Sequence, residues 1–186
     1  MSQGGTRFIP CSIDQFKQLI ARQAASSAWL PDRIPAKSPS YWLKRYFEHP
    51  VYTYDTFAVC SESDPDALAF ITLRRAVHEG ASALRIVDYI GEWSLLENTR
   101  ACFEQLLAQY DAEYIDFYLF GMLEGVLTSA GFMLNSPDSP HVVPNYFEPF
   151  EQRNVRIDFA CKAGKHDACF ITKGDSDQDR PNLIVR

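Results

Sequence analysis

Two carboxylates four residues apart, Asp88 and Glu92, stand at the end of the apolar run 83–90. A carboxylate fixed at a strand end can take a proton from an amine, so both are candidate general bases. An exposed acidic pair closing a strand is the competing reading. Tyr89 and Tyr118 lie inside apolar runs, where cross-strand packing competes with a chemical role. Tyr41, Trp42, Tyr46, Phe47, Tyr52 and Tyr54 gather within fourteen positions. Such amphipathic rings suit the wall of a substrate groove; a helix packed across a sheet uses them equally well. The histidines (His49, His78, His141, His166) show no i, i+4 pair for a metal. His141 sits in the proline-rich stretch 136–149, which reads either as a lid over a cleft or as an exposed loop. Tyr52, Tyr54, Tyr118 and His141 are therefore the candidate substrate contacts.

The C-terminal segment holds Asp175, Asp177 and Asp179 at the spacing that begins a calcium loop. The glycine such a loop needs is replaced by Arg180, and the position of its bidentate Glu falls on Arg186. Calcium of that type is excluded. Residues 174–186 read as a solvated polar tail, with a polar rim around a substrate as the alternative. The five cysteines form no CxxC pair, which argues for no metal and for reduced, buried thiols in the cytoplasm.

These residues need a core to hold them. The chain has 186 residues, 46% of them hydrophobic and 13% aromatic, enough for one domain spanning 1–186 with a frayed start at 1–5. A net charge of −6 without a basic stripe argues against nucleic acid. The opening residues lack a signal-peptide pattern, and no apolar run approaches the roughly 20 residues that span a bilayer.

Ser12 can cap a helix from Ile13, and Ser38 or Ser40 a second one that Pro50 ends. The runs 56–61, 67–75 and 83–90 read as strands joined by short turns, hence as an antiparallel meander. A helix is expected over 95–110, a strand over 114–120 and a helix over 122–130 stopped by Gly131. Strands at 155–162 and 169–173 complete the reading. The expected class is α+β, with a mixed, mostly antiparallel sheet flanked by helices.

That order of elements resembles the GNAT superfamily of acyl-CoA-dependent N-acyltransferases, best over residues 56–132. Leu127-Thr128-Ser129-Ala130-Gly131-Phe132 is similar to the family's helix that closes on a Gly-Phe pair. The resemblance implies acetyl-CoA or another acyl-CoA as cofactor, pairing along Val87, Tyr89 and Ile90 and reaching Gly91 and Ser94. It implies a small amine or amino sugar as acceptor, with Asp88 or Glu92 as base.

The family's R-x-x-G-x-G/A loop falls on Gly91-Glu92-Trp93-Ser94-Leu95-Leu96, without its arginine or later glycines. Ser94 and Glu97 have the spacing of a capping box that would occupy the helix's own N–H groups. Phe120 and Leu127 stand where many members carry an asparagine and a proton-donating tyrosine. The alternative is thus a non-catalytic GNAT-like module for binding or dimerisation. The ending from Gly174 also looks similar to C-terminal segments of two-module GNAT-like bacterial proteins, which would make a homodimer or a partner module its company.

Overall fold

A computed structural model describes residues 5–23, 33–64, 68–143, 153–154, 156–160, 162, 169–176 and 179. It is a mixed α+β fold built on a five-stranded, mostly antiparallel sheet. The strands are β1 (Thr6–Pro10), β2 (Asp55–Ser61), β3 (Leu68–His78), β4 (Ala81–Gly91) and β5 (Tyr114–Phe117), lying side by side in chain order. β1 to β4 pair antiparallel, and β5 joins β4 in parallel. The long connection between β4 and β5 makes that parallel step possible.

The meander is the expected one, with its turn at Glu79 and Gly80, both at positive φ. β1 is an addition to the expectation. It is short, ends on Pro10, and only Phe8 packs against the core, so it carries little periodic signal. Edge strands tolerate proline because one row of their N–H groups has no partner to serve.

Helices cover both faces. Helix α1 (Ile13–Gln23) is opened by Ser12, whose hydroxyl accepts from the Gln15 N–H while the Gln15 side chain accepts from the Ser12 N–H. Ser38 caps α2 (Pro39–Trp42), which runs on as a π-helical turn, Leu43–Phe47. Phe16, Trp42 and Tyr46 from this layer close over Ala58, Phe70 and Val87. On the other face, α3 (Arg100–Tyr110) and α4 (Glu124–Ser129) bury Phe103, Leu106 and Val126 against Val59, Ile71 and Ile86. Gly131 ends α4 at φ +92, and the Phe132 N–H returns to the Leu127 carbonyl.

Four expectations are corrected. The helix read over 95–110 begins only at Arg100; Trp93–Leu96 is a separate 3-10 turn. Ser94 is exposed within that turn and forms no cap; the residue at the start of α3 is Thr99, whose hydroxyl donates to the Leu96 carbonyl. The strand read over 114–120 splits into β5 and β6 (Leu119–Phe120), and β6 pairs instead with β7 (Ile171–Thr172). No strand forms at 156–160, whose residues are mostly exposed; 155 and 161 of that expected strand lie outside the described residues.

Two irregularities shape the end of β4. Leu73 faces Ile86 but Thr72 faces Asp88, so Val87 is an extra residue in the ladder. A bulge of this kind bends a strand and re-aims the side chains beyond it. Here it leaves both Val87 and Asp88 toward the α1–α2 layer. Pairing with β5 then stops at Ile86 and Phe117, and the remainder of β4 runs on to Gly91.

Gly91 has φ +124, and a Cβ there would lie 2.5 Å from the Ala69 Cβ. Strand packing against β3 therefore accounts for this glycine. Gly91→Ala is expected to cost about 3 kcal/mol, combining backbone strain and overpacking, read as a fall in the urea midpoint. An unchanged midpoint would show that β3 and β4 are not held this closely.

Candidate functional site

Where β4 and β5 part, the gap is occupied by residues 171–175 of the same chain. β7 pairs with β6 on one side. The 3-10 turn that follows, Lys173–Asp175, presses on β4 on the other. Its backbone lies so close that a Cβ on Gly174 would fall 2.2 Å from the Tyr46 hydroxyl and 3.2 Å from the Val87 carbonyl. A second stretch reaches the same place, since Phe170 N–H donates to the Ile34 carbonyl and brings Lys37 to the end of β4.

Charged side chains meet there in a buried set. Lys37 Nζ lies 2.5 Å from Asp88 Oδ1 and 2.8 Å from Asp175 Oδ2, with Lys37 5% and Asp88 0% exposed. The Tyr46 hydroxyl donates to Asp88 Oδ2 at 2.6 Å, and the Tyr89 N–H donates to Oδ1 at 2.8 Å. Thr172 Oγ1 lies 2.9 Å from Asp88 and 3.0 Å from Asp175, and its single proton can serve only one of them.

Burial lowers the Lys37 pKa, but attraction from Asp88 and Asp175 prevails and leaves it above its usual value. For Asp88, burial raises the pKa, the neighbouring Asp175 charge adds to the rise, and Lys37 and Tyr46 pull against it. Burial and the Asp88 charge hold Tyr46 protonated well beyond the ordinary range.

Two further clusters adjoin it. Asp179, 1% exposed, accepts from Tyr54 Oη at 2.5 Å, Arg45 Nη2 at 3.2 Å and Arg74 Nε at 3.0 Å. Arg45 also donates to the Asp179 carbonyl at 3.0 Å. Burial, then the hydrogen bond and charge of Asp179, raise the Tyr54 hydroxyl. The third cluster joins Arg85 of β4 to Asp116 of β5, directly opposite in register. Lys173, 2% exposed, lies over the Tyr118 ring at 4.8 Å, and burial and the charge of Arg85 depress it to about 8.

The sequence-derived candidates divide sharply. Asp88 is not an exposed strand-end carboxylate but the most enclosed group of the set. Glu92 is exposed. Val87, Tyr89, Ile90 and Gly91 are buried in the sheet, and Tyr89 Oη donates to the Glu92 carbonyl at 2.5 Å. Tyr54 belongs to the Asp179 cluster, while Tyr52 stacks on His49 and carries Arg74 over its ring at 4.2 Å. Tyr118 meets Lys173. His141 is exposed, its carbonyl accepting from Asn154.

The tail was read as solvated. Of its described members, Gly174 and Asp179 are buried and the Asp175 side chain is 7% exposed, while Ser176 is exposed. Lys37, Arg45, Arg74, Arg85 and Asp116 were not singled out beforehand. Arg85 in Leu84-Arg85-Ile86 and Asp116 in Ile115-Asp116-Phe117 did carry a signal, because a charge inside an apolar strand run needs a buried partner.

Cys11, Cys60, Cys102 and Cys169 are free thiols, and burial pushes Cys11 up to about 11. Among the described residues no group of three metal-ligating side chains occurs, and no helix is long and apolar enough to cross a membrane. Compared with known proteins, the chain matches no family model, no curated protein and no solved structure.

Two measurements probe the set. Asp179→Ala leaves two guanidinium groups and a tyrosine hydroxyl without their shared acceptor. It should cost about 3 kcal/mol in urea unfolding, as expected for one partner removed from a buried charge cluster; a loss under about 0.5 kcal/mol would place Asp179 in solvent.

Lys173 supplies a pH signature. Its folded pKa of about 8 lies below its reference value of 10.5, so the unfolded chain binds more protons between these values. Stability should therefore rise with pH from 8 toward 10.5, relative to Lys173→Met, whose curve lacks that contribution. Parallel pH profiles for the two proteins would exclude a depressed lysine.

Proposed function

We propose that the chain is a GNAT-like module whose acyl-CoA cleft is closed by its own C-terminal segment, and that it acts by binding rather than by acyl transfer. The observation that carries this reading is the occupation of the β4–β5 gap by residues 171–175. In the resemblance, that gap is where an acyl-CoA would pair with the free edge of β4. A cofactor seated there would have to displace Gly174 from Val87 and break the Lys37–Asp175 contact.

The proposed base points the same way. A general base needs a proton within reach and a lone pair to receive it. Both oxygens of Asp88 already accept from protein donors, and no part of the residue is open to solvent. Glu92 is exposed, one residue past the end of β4, where water and not the protein surrounds its carboxylate. Gly91, which stands at the arginine position of the family's phosphate loop, is used against Ala69. Binding to a second copy or to a partner module is the role that remains for a fold of this kind with its cleft filled.

A divergent N-acyltransferase is the second reading. It draws support from the concentration of buried titratable groups at the strand fork, since shifted pKa values gather at catalytic sites as well as in structural ion clusters. It would require the 171–175 segment to withdraw, carrying Asp175 away from Lys37.

Isothermal titration with acetyl-CoA separates the two. The closed-cleft reading expects no saturable heat up to about 5 mM, an affinity limit corresponding to roughly 3 kcal/mol of binding free energy. Saturable binding below about 0.5 mM, weakened by Gly91→Ala, would overturn it in favour of the enzyme.

A further inference from the structure

Asp179 sits in a surplus of positive charge. At the fork, among the described residues, one cation, Lys37, serves both Asp88 and Asp175. Around Asp179 the ratio is reversed: Arg45, Arg74, Arg85 and Lys173 stand about two carboxylates, Asp179 and Asp116. Arg74 and Arg85 lie directly opposite in the β3–β4 ladder, a like-charged pair that destabilises a sheet unless anions hold it. Fastening a tail needs no such excess, as Lys37 shows.

The geometry also indicates what this seat reads. Arg45 Nη2 donates to Asp179 Oδ2 at 3.2 Å and to the Asp179 main-chain carbonyl at 3.0 Å. A free carboxylate offers the first acceptor only; an aspartyl residue within a peptide offers both. Arg45 is oriented in turn by Tyr54, to whose hydroxyl its Nη1 donates at 2.9 Å. The carboxylate is buried, but the seat reaches the surface, since the Arg45 and Arg74 side chains are 19% and 14% exposed. His49 and Tyr52, half-buried and stacked at 5.5 Å, border it, with Arg74 over the Tyr52 ring.

We propose that Arg45, Arg74 and Tyr54 form a docking site for an aspartyl residue in an acidic segment of a partner protein, and that Asp179 is its resident stand-in. The cation surplus favours a segment with more than one acid. A second copy's Asp179 offers only the contacts of the resident one, which has the advantage of lying on the same chain. Asp175 keeps Lys37 when Asp179 leaves, so the fork stays closed. The proposal deepens the binding role given above and rests on it. Acetyl-CoA titration reports on the fork and a peptide on the seat, so either can fail alone.

The test uses the full chain carrying Asp179→Ala and a peptide, Ser-Asp-Gln-Asp-Glu, capped at both ends, at fixed ionic strength. The peptide should raise the melting temperature by about 4 °C at ten times a Kd on the order of 1 mM. The wild type should need about tenfold more peptide, because Asp179 must first leave. Replacing both Asp of the peptide by Asn, or adding Arg74→Ala to the protein, should weaken binding at least about tenfold through lost charge-assisted hydrogen bonds. Asp179→Asn, a milder change, serves where Asp179→Ala does not fold. Failure of both variants to fold with peptide present would overturn the proposal, because a ligand that takes the seat restores it. So would no shift at about 10 mM peptide, equal shifts with the Asn peptide or in the wild type, or a shift that survives Arg74→Ala. Wild-type dimers that dissociate in Asp179→Ala would assign the seat to a second copy and overturn the partner.

Discussion

The ammonium of Lys37 sits between Asp88 on β4 and Asp175 on the C-terminal segment, with hardly any solvent around the three. Such an arrangement contributes little net stability over a well-packed apolar one, since removing three charges from water offsets most of their attraction. What it contributes is position. Two carboxylates cannot be buried together without the cation, and the cation cannot be buried without them. The segment 171–175 therefore has one acceptable seat, and strands β6 and β7 pair in consequence of it.

The fork that receives this segment follows from backbone geometry. Val87 is an extra residue opposite β3, and β4 bends there just where its pairing with β5 ends. Without the bulge, Asp88 would alternate to the opposite face, into the apolar layer of Leu95, Phe103 and Val126. The bulge thus places one carboxylate among its donors and opens the strand edge that the tail then covers. A covered edge also removes a row of unpaired backbone groups that could template association.

The three polar clusters share a pattern. Asp179 holds Arg45 and Arg74, Asp116 holds Arg85, and Asp88 with Asp175 holds Lys37. In the first and last, the carboxylate belonging to the C-terminal segment meets a cation from elsewhere in the fold. The tail is thereby fastened at two points, by Asp175 and by Asp179. Asp175 and Asp179 are thus complementary to buried cations.

The sequence by itself determined the meander, the two helical layers and the stop at Gly131, because these depend on local periodicity, caps and turns. Short apolar runs separated by turn residues mark β2 to β4 whatever lies far along the chain, and Ser12 with Gln15 caps a helix from neighbouring atoms alone. β1 carries no such run, since Phe8 alone of its residues packs against the core. The start of α3 was misplaced because Ser94 and Glu97 have capping spacing, while burial of Leu95 and Leu96 favours a separate 3-10 turn. Only the tertiary structure decided the fate of Asp88, Asp175 and Asp179. The cations they meet are distant in sequence: Lys37 lies 51 positions from Asp88, and Arg45 and Arg74 lie 134 and 105 positions from Asp179. Spacing cannot reveal which distant cation a carboxylate will meet; it reveals only that a charge such as Arg85, set among apolar neighbours, must meet one.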